Sequence, residues 1–209
     1  MINDIKLYKN LQLVGVFSHF FDSKDEQACH LQNKRFLYFT KGLGKDVKLH
    51  LSASGMLLDE KFRYDVMRVG IALYGYGMEG VTPCLSILSK VVCVNYLTAG
   101  ESVGYGGRFV ASEDCAVATI SIGYADGVSR KRVGGNVIIR GKKRKLVGSI
   151  CMDFCFALVD SEVKVGDDVI VIGGQGGENI TADDVAKMEG TINYEVLTNL
   201  KRIKYIYFK

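Results

Sequence analysis

Arg68 lies inside an apolar run, Val66 to Tyr74. A guanidinium in such a run must find a partner, because burying an unpaired charge is expensive. Two further polar side chains hold comparable places. His19 follows the stretch Leu11 to Phe17, and Ser54 follows Val47 to Ser52, which carries His50. All three stretches read as strands, and residues at the C-terminal ends of strands face the site in a parallel α/β barrel. Taken singly, a histidine after a strand reads as a hydrogen-bonded structural residue; Arg68 is harder to set aside in that way. Much later come Tyr124, within Ser121-Ile122-Gly123-Tyr124-Ala125-Asp126-Gly127, and Met152, within Ile150-Cys151-Met152-Asp153. An isolated Gly-Tyr reads as a tyrosine packed at a sheet end. Only the order and company of these motifs give them weight.

The elements that must position these residues fall into two rhythms. Leu11 to Phe17 reads as a buried strand. Ser23-Lys24-Asp25-Glu26 has capping-box spacing, which predicts a helix running to about Gly42, where glycine can end it in the left-handed conformation. Val47 to Ser52 is a second strand, Gly55 to Tyr64 a helix, and Val66 to Tyr74 a third strand. This alternation means parallel pairing with right-handed crossovers. After the single proline, Pro83, short β-rich runs follow: Leu85 to Asn95, Ala116 to Ile122, Asn136 to Arg140, Phe154 to Val159 and Asp168 to Ile172. Gly-rich turns separate them, as in an antiparallel sheet or barrel. A helix near Thr181 to Met188 is capped by Thr181, with Asp183 and Asp184 in its first turn. The boundary falls near residues 78–85, giving domains 1–82 and 83–209. Three parallel strands cannot close a (β/α)₈ barrel, which typically takes about 250 residues. The expected class is therefore α/β, an incomplete barrel made of its last strands, followed by a mainly antiparallel β domain.

Composition narrows the function classes. A net charge of +4 is too weak to argue for nucleic acid. The basic clusters Arg130-Lys131-Arg132 and Lys142-Lys143-Arg144-Lys145 lie beside glycines, lack interleaved aromatics and read as solvated hairpin ends. No apolar run approaches the roughly 18 residues of a membrane helix. Met1 to Lys6 lacks the shape of a signal peptide. The six cysteines include no CxxC pair, so neither a disulfide scaffold nor a zinc or redox site is expected. The expectation is a cytoplasmic protein without metal. Gly173-Gly174-Gln175-Gly176-Gly177 lacks the Lys-Ser/Thr of a phosphate loop and reads as a hairpin turn.

In this order, Arg68-Val69-Gly70-Ile71, the Tyr124 motif and the Met152 motif resemble the C-terminal part of alanine racemase, a pyridoxal-phosphate (PLP) enzyme. The resemblance covers nearly the whole chain and implies the following roles. Arg68 donates to the pyridine nitrogen. Because arginine keeps its proton, that nitrogen stays unprotonated, which limits side reactions such as transamination. Gly15-Val16-Phe17-Ser18-His19-Phe20 resembles the segment whose histidine, here His19, packs against the pyridine ring. His50-Leu51-Ser52-Ala53-Ser54 resembles the segment whose serine, Ser54, contacts phosphate, with His50 linking Arg68 to the catalytic tyrosine. Gly70 and Ile71 offer backbone N–H groups to phosphate. Tyr124 matches the tyrosine that handles the α-proton on the L-isomer face; a phenol does this only where donors favour its phenolate, and His50 backed by Arg68 could supply them. Met152 offers its N–H to the substrate carboxylate, and Tyr194, in Thr191-Ile192-Asn193-Tyr194-Glu195, contacts phosphate and narrows the entrance. Gly104-Tyr105-Gly106-Gly107 resembles another family turn whose glycines are structural. Ala53 stands where the family commonly has asparagine, and Ser149 where many relatives carry arginine. The resemblance also implies a homodimer in which the second domain serves the partner's cofactor.

The family's lysine, which holds PLP covalently, has no counterpart here, nor has the arginine-bearing strand that positions substrate. Lys45 and Lys48 read as surface lysines. The expectation is thus an alanine-racemising enzyme (D-alanine for peptidoglycan) whose N-terminal part lies outside this sequence, inactive alone. The competing readings are a non-catalytic relative that dimerises or binds PLP loosely, a serine-racemising relative, and a small nucleic-acid-binding β module.

Overall fold

The computed structural model describes residues 2–5 and 7–207. It divides into two compact units between Cys84 and Leu85.

In the first unit, α1 (Ile2–Ile5) is a single turn, followed by β1 (Gly15–Phe17), α2 (Glu26–Thr40) and β2 (Lys48–His50). β1 and β2 pair in parallel, with Gly15 opposite Lys48 and Phe17 opposite His50. The cap of α2 is Asp25, whose side chain accepts the Ala28 N–H at 2.9 Å, rather than the Ser23 of the capping-box reading. The helix closes one face with Cys29 and Phe36, which join Phe20, Leu51, Met56 and Phe62 in the unit's core. Two expectations fail here. Gly55 to Tyr64 is not one helix but two 3-10 turns, Ser54–Met56 and Glu60–Phe62, because Asp59 restarts the chain by accepting the Lys61 N–H at 2.9 Å. The third strand is reduced to one parallel bridge, Ala53 with Arg68. Beyond it the Ser54 hydroxyl takes the N–H groups of Gly70 and Ala72, at 2.9 and 3.3 Å, and the chain coils into the 3-10 turn Ile71–Tyr74. The unit leaves large apolar side chains in solvent, among them Val14, Phe17, Tyr38 and Phe39.

The second unit is β-rich, as expected after Pro83. It comprises β3 (Ile87–Leu97), β4 (Ser102–Val103), β5 (Phe109–Val110), β6 (Cys115–Ile120), β7 (Asn136–Ile139), β8 (Lys142–Val147), β9 (Cys155–Val159), β10 (Asp168–Gln175), β11 (Glu178–Ile180), α3 (Ala182–Glu189) and α4 (Asn193–Thr198). The sheet order β10-β3-β6-β9-β8-β7 returns to β10 through a β10–β7 pairing, and every pairing is antiparallel. Closure removes the exposed edges that an open sheet would present. Val117, Ile138, Ile139, Leu146, Val169 and Val171 are among its most deeply buried side chains.

Of the two basic clusters, Lys142 to Lys145 does begin at a hairpin end and its lysines are exposed, whereas Arg130 to Arg132 forms a 3-10 turn. Lys142 to Arg144 lie in β8 and are matched by carboxylates: Lys142 with Glu162 at 2.9 Å, Lys143 with Glu178 at 2.9 Å, and Arg144 with Asp160 at 2.6 Å. Arg132 is buried, and its Nη2 donates to the Val171 carbonyl. The turn between β7 and β8 is Arg140-Gly141, with φ of 52° and 71°. Positive φ at both positions is the type I′ arrangement that suits a two-residue hairpin. Thr181 caps α3 as expected, in a capping box with Asp184.

Candidate active site

Parallel pairing in the first unit brings Phe17 and His50 side by side at the strand ends, their rings stacked 5.4 Å apart at an interplanar angle of 16°. The backbone of Arg68 is tied to the end of this pair, its N–H donating to the Ser52 carbonyl at 3.0 Å. Its side chain then spreads over the strand ends. The guanidinium lies 5.4 Å above the Phe17 ring, a cation–π contact. Nη1 meets His50 Nδ1 at 2.6 Å and the His50 carbonyl at 3.3 Å; Nη2 meets the Ser18 carbonyl at 2.6 Å and His19 Nδ1 at 3.0 Å.

This geometry fixes the histidine tautomers. A guanidinium can only donate, so each Nδ1 facing it must present a lone pair, and the ring proton of His19 and of His50 sits on Nε2. It also uses four of the five N–H groups of arginine among the described residues, leaving Nε–H as the fifth. The partner that an arginine in an apolar run demands is therefore a set of strand-end acceptors. His19, His50 and Arg68 form one cluster. Ser54, Gly70 and Ile71 form an adjoining one, in which buried Ser54 accepts two backbone N–H groups and keeps its own hydroxyl proton to donate. A Cβ built on Gly70 would meet only Ser54 Oγ, 3.9 Å away, so open space adjoins this hydroxyl.

The second unit carries a cleft of about 510 Å³, lined by Tyr105, Tyr124, Arg130, Met152, Asp153 and Phe154 among others. The motifs of Tyr124 and Met152 are interlocked. Tyr124 N–H donates to the Cys151 carbonyl and Ala125 N–H to the Met152 carbonyl, both at 3.0 Å. Gly123 is the contact point, since a Cβ there would strike both of those carbonyls. Asp126 closes the turn by accepting the Gly123 N–H at 2.9 Å.

Two residues of this cleft, Tyr105 and Arg130, lie outside the motifs of Tyr124 and Met152. Arg130 belonged to a basic cluster read as solvated. Tyr105 sits between β4 and β5 in a turn whose glycines, Gly104, Gly106 and Gly107, have φ of 79°, 74° and 57°. Its carbonyl accepts the Ser149 hydroxyl at 3.2 Å, and the residue is 80% exposed, against 47% for Tyr124. A tyrosine held between left-handed glycines was the available signal. Tyr194 stands elsewhere in the unit, half-exposed on α4, an element the sequence reading left out.

Comparison with known proteins gives these motifs a common origin. Residues 84–207 match the alanine racemase C-terminal domain, and residues 1–77 the N-terminal domain of the same family. The chain belongs to the alanine racemase family. The alanine racemase of Thermodesulfovibrio yellowstonii is 39% identical over 98% of this chain and 59% of its own length. The alanine racemase of Bartonella henselae with covalently bound pyridoxal phosphate superposes with a TM-score of 0.84 at 30% identity, covering 99% of this chain and 60% of that one. A histidine racemase from Leuconostoc mesenteroides superposes with a TM-score of 0.86 at 26% identity, covering 96% and 57%. The chain thus spans about three fifths of the length of these three proteins. Among the described residues no group of His, Cys, Asp and Glu could hold a metal ion, and no helix is long and apolar enough to cross a membrane.

Proposed function

We propose that this chain forms part of a PLP-dependent racemase that interconverts L- and D-alanine, a cytoplasmic enzyme supplying D-alanine for peptidoglycan. The observation that carries this reading is the Arg68 cluster, in which a guanidinium fixed by four acceptors keeps Nε–H to meet a ring nitrogen. The first unit, residues 1–82, is then the closing portion of a PLP-binding (β/α)₈ barrel. Its short parallel pair and exposed apolar residues are what a barrel segment shows without its remaining strands, since parallel sheets are normally covered on both faces. Residues 83–209 are the β domain.

The residues fit the cofactor's parts. Arg68 would hold the pyridine nitrogen and His19 the ring face. Ser54, with its free hydroxyl proton, would hold the phosphate with the Ile71 N–H, while the Gly70 N–H is already given to Ser54 Oγ and orients that hydroxyl; Tyr194 would reach the same group. When bound, PLP draws electrons from the amino acid's α-carbon and so acidifies the α-proton. The chain's own part is to carry that proton and hold the carboxylate. Met152 N–H would hold the substrate carboxylate. His50, its Nδ1 engaged by Arg68, presents Nε2–H as a donor to a phenolate.

Two tyrosines line the cleft, and a phenol serving the site of a second copy in a homodimer must project from its own unit. Tyr105 is more exposed than Tyr124 and stands on a turn of glycines with positive φ. We therefore assign proton transfer to Tyr105, while Tyr124, the tyrosine singled out by motif, lines the cleft beside it. The test is loss of the α-proton NMR signal of L-alanine in D₂O, catalysed by the intact protein that carries this chain. Tyr105→Phe should slow exchange from L-alanine by about 10²-fold or more with PLP binding retained, and Tyr124→Phe chiefly raise KM. The reverse pattern returns the proton to Tyr124. No exchange by the intact protein would leave the non-catalytic reading standing. Serine and histidine belong in the same assay, histidine because a similar fold bears a histidine racemase.

A further inference from the structure

Arg202 joins the two interlocked motif loops from a third segment of the chain. Its Nη2 lies 2.7 Å from Asp153 Oδ1 and 3.1 Å from Asp126 Oδ1. Asp153 directly follows Met152, and Asp126 closes the turn of Tyr124. The other oxygen of Asp126 is taken by the Gly123 N–H, so a continuous path runs from Gly123 through Asp126 and Arg202 to Asp153. The main chain follows the same route. Lys201 N–H donates to the Asp126 carbonyl at 2.9 Å. A Cβ at Gly127 would strike the Asn199 carbonyl, so the glycine lets this segment lie directly on the turn. Among the described residues only Arg140 and Arg202 have positive φ without being glycine, Arg202 at 51°. Arg140 owes this to its hairpin; Arg202 lies in no regular element, and its ion pairs are what hold an unfavourable backbone. Without a cation between them, the carboxylates of Asp126 and Asp153 would repel each other across the junction of the two loops.

We propose that Arg202 is a positioning residue, which clamps the Asp126 and Asp153 loops and thereby fixes Tyr124 and Met152 relative to each other. Its kinetic consequence rests on the racemase reading; the clamp itself does not.

The test uses Arg202→Ala and Arg202→Lys in the intact protein, with hydrogen exchange of individual amides and steady-state kinetics on alanine. Arg202→Ala should speed exchange of the Tyr124 and Ala125 amides about fivefold or more, the scale of losing two exposed ion pairs. The amides of β6 and β9 should keep their rates. KM for alanine should rise several-fold with kcat within about twofold, since a displaced carboxylate-binding loop weakens binding before it alters proton transfer. Arg202→Lys, which keeps the charge, should recover part of both effects. Unchanged exchange at Tyr124 and Ala125 overturns the clamp, as does a uniform increase across the β unit, which would mean general destabilisation. If the intact protein racemises nothing, the functional reading fails, while the amide pattern still decides the clamp.

Discussion

Gly123→Ala puts a single methyl group where the two motif loops touch. Gly123 is buried, with an extended backbone at φ −148° and ψ −163°, so alanine meets no conformational penalty there and the effect is purely one of space. The added Cβ would overlap the carbonyl oxygens of Cys151 and Met152, which are backbone atoms and cannot swing aside as a side chain could. Overpacking of this kind costs about 1–3 kcal/mol. If the loop instead gives way, the bonds from Tyr124 and Ala125 N–H to those same carbonyls are lost, at about 0.5–1.5 kcal/mol each. Reduced freedom of the unfolded chain offsets about 0.4–1 kcal/mol. The net expectation is a destabilisation of about 1–2 kcal/mol. The sequence has no tryptophan and eleven tyrosines, so urea unfolding would be followed by tyrosine fluorescence or far-UV circular dichroism. Gly174→Ala is the control in the same unit: its nearest atoms stand at 3.4 and 3.6 Å, ordinary contact, and it should cost less than about 1 kcal/mol. If Gly123→Ala falls within about 0.5 kcal/mol of the parent, the two loops are not interlocked and the account of the cleft is wrong.

Two further predictions concern titration and reactivity. Burial pushes the Cys155 thiol up to about 12, whereas Cys84 and Cys93 are exposed; a disulfide reagent at pH 8 should therefore label Cys84 and Cys93 quickly and Cys155 only on unfolding, and rapid labelling of Cys155 in the native state would contradict this packing. The Thr181 N–H and hydroxyl hold the Asp184 carboxyl below its usual range. A depressed folded-state value means that its stabilisation is complete above the unfolded value, about 3.9, and is lost as pH falls through the folded one. Since the residue is exposed, the advantage over Asp184→Asn should be only about half a kcal/mol; a difference between the two proteins that does not shrink below pH 4 would count against the cap's electrostatic part.

Local signals in the sequence were dependable where one physical cause dominated. Thr181 with Asp184 in the next turn specified a helix start, and the structure places it there. The β-rich runs after Pro83 became strands, because alternating apolar residues between glycine turns have little other outcome. The failures lie where side chains compete with the backbone. Val66 to Tyr74 has the composition of a strand, yet the Ser54 hydroxyl, far away in sequence, captures the N–H groups of Gly70 and Ala72 and turns the chain into a 3-10 coil. Lys142 and Lys143 are exposed as read, but the carboxylates that match them and Arg144 come from distant segments that no local stretch reveals.

The same distinction bears on the choice between Tyr124, to which the motif points, and Tyr105, to which the proposal assigns proton transfer. A motif such as Ile-Gly-Tyr-Ala-Asp-Gly is rich in residues that do structural work: Gly123 admits the neighbouring loop, Asp126 ties the turn and receives Arg202, and Gly127 lets Asn199 lie against it. These constraints come from the backbone and make the segment recognisable, but they do not identify which phenol meets a substrate. The exposure of Tyr105 goes with the left-handed glycines on either side of it, whose spacing is the one trace of it in the sequence. A loop fixed from three sides, with a tyrosine projecting on a separate turn beside it, divides the labour between a rigid wall and a reaching group. On the proposed assignment, substitutions in the wall should act on KM and substitutions in the reaching group on kcat.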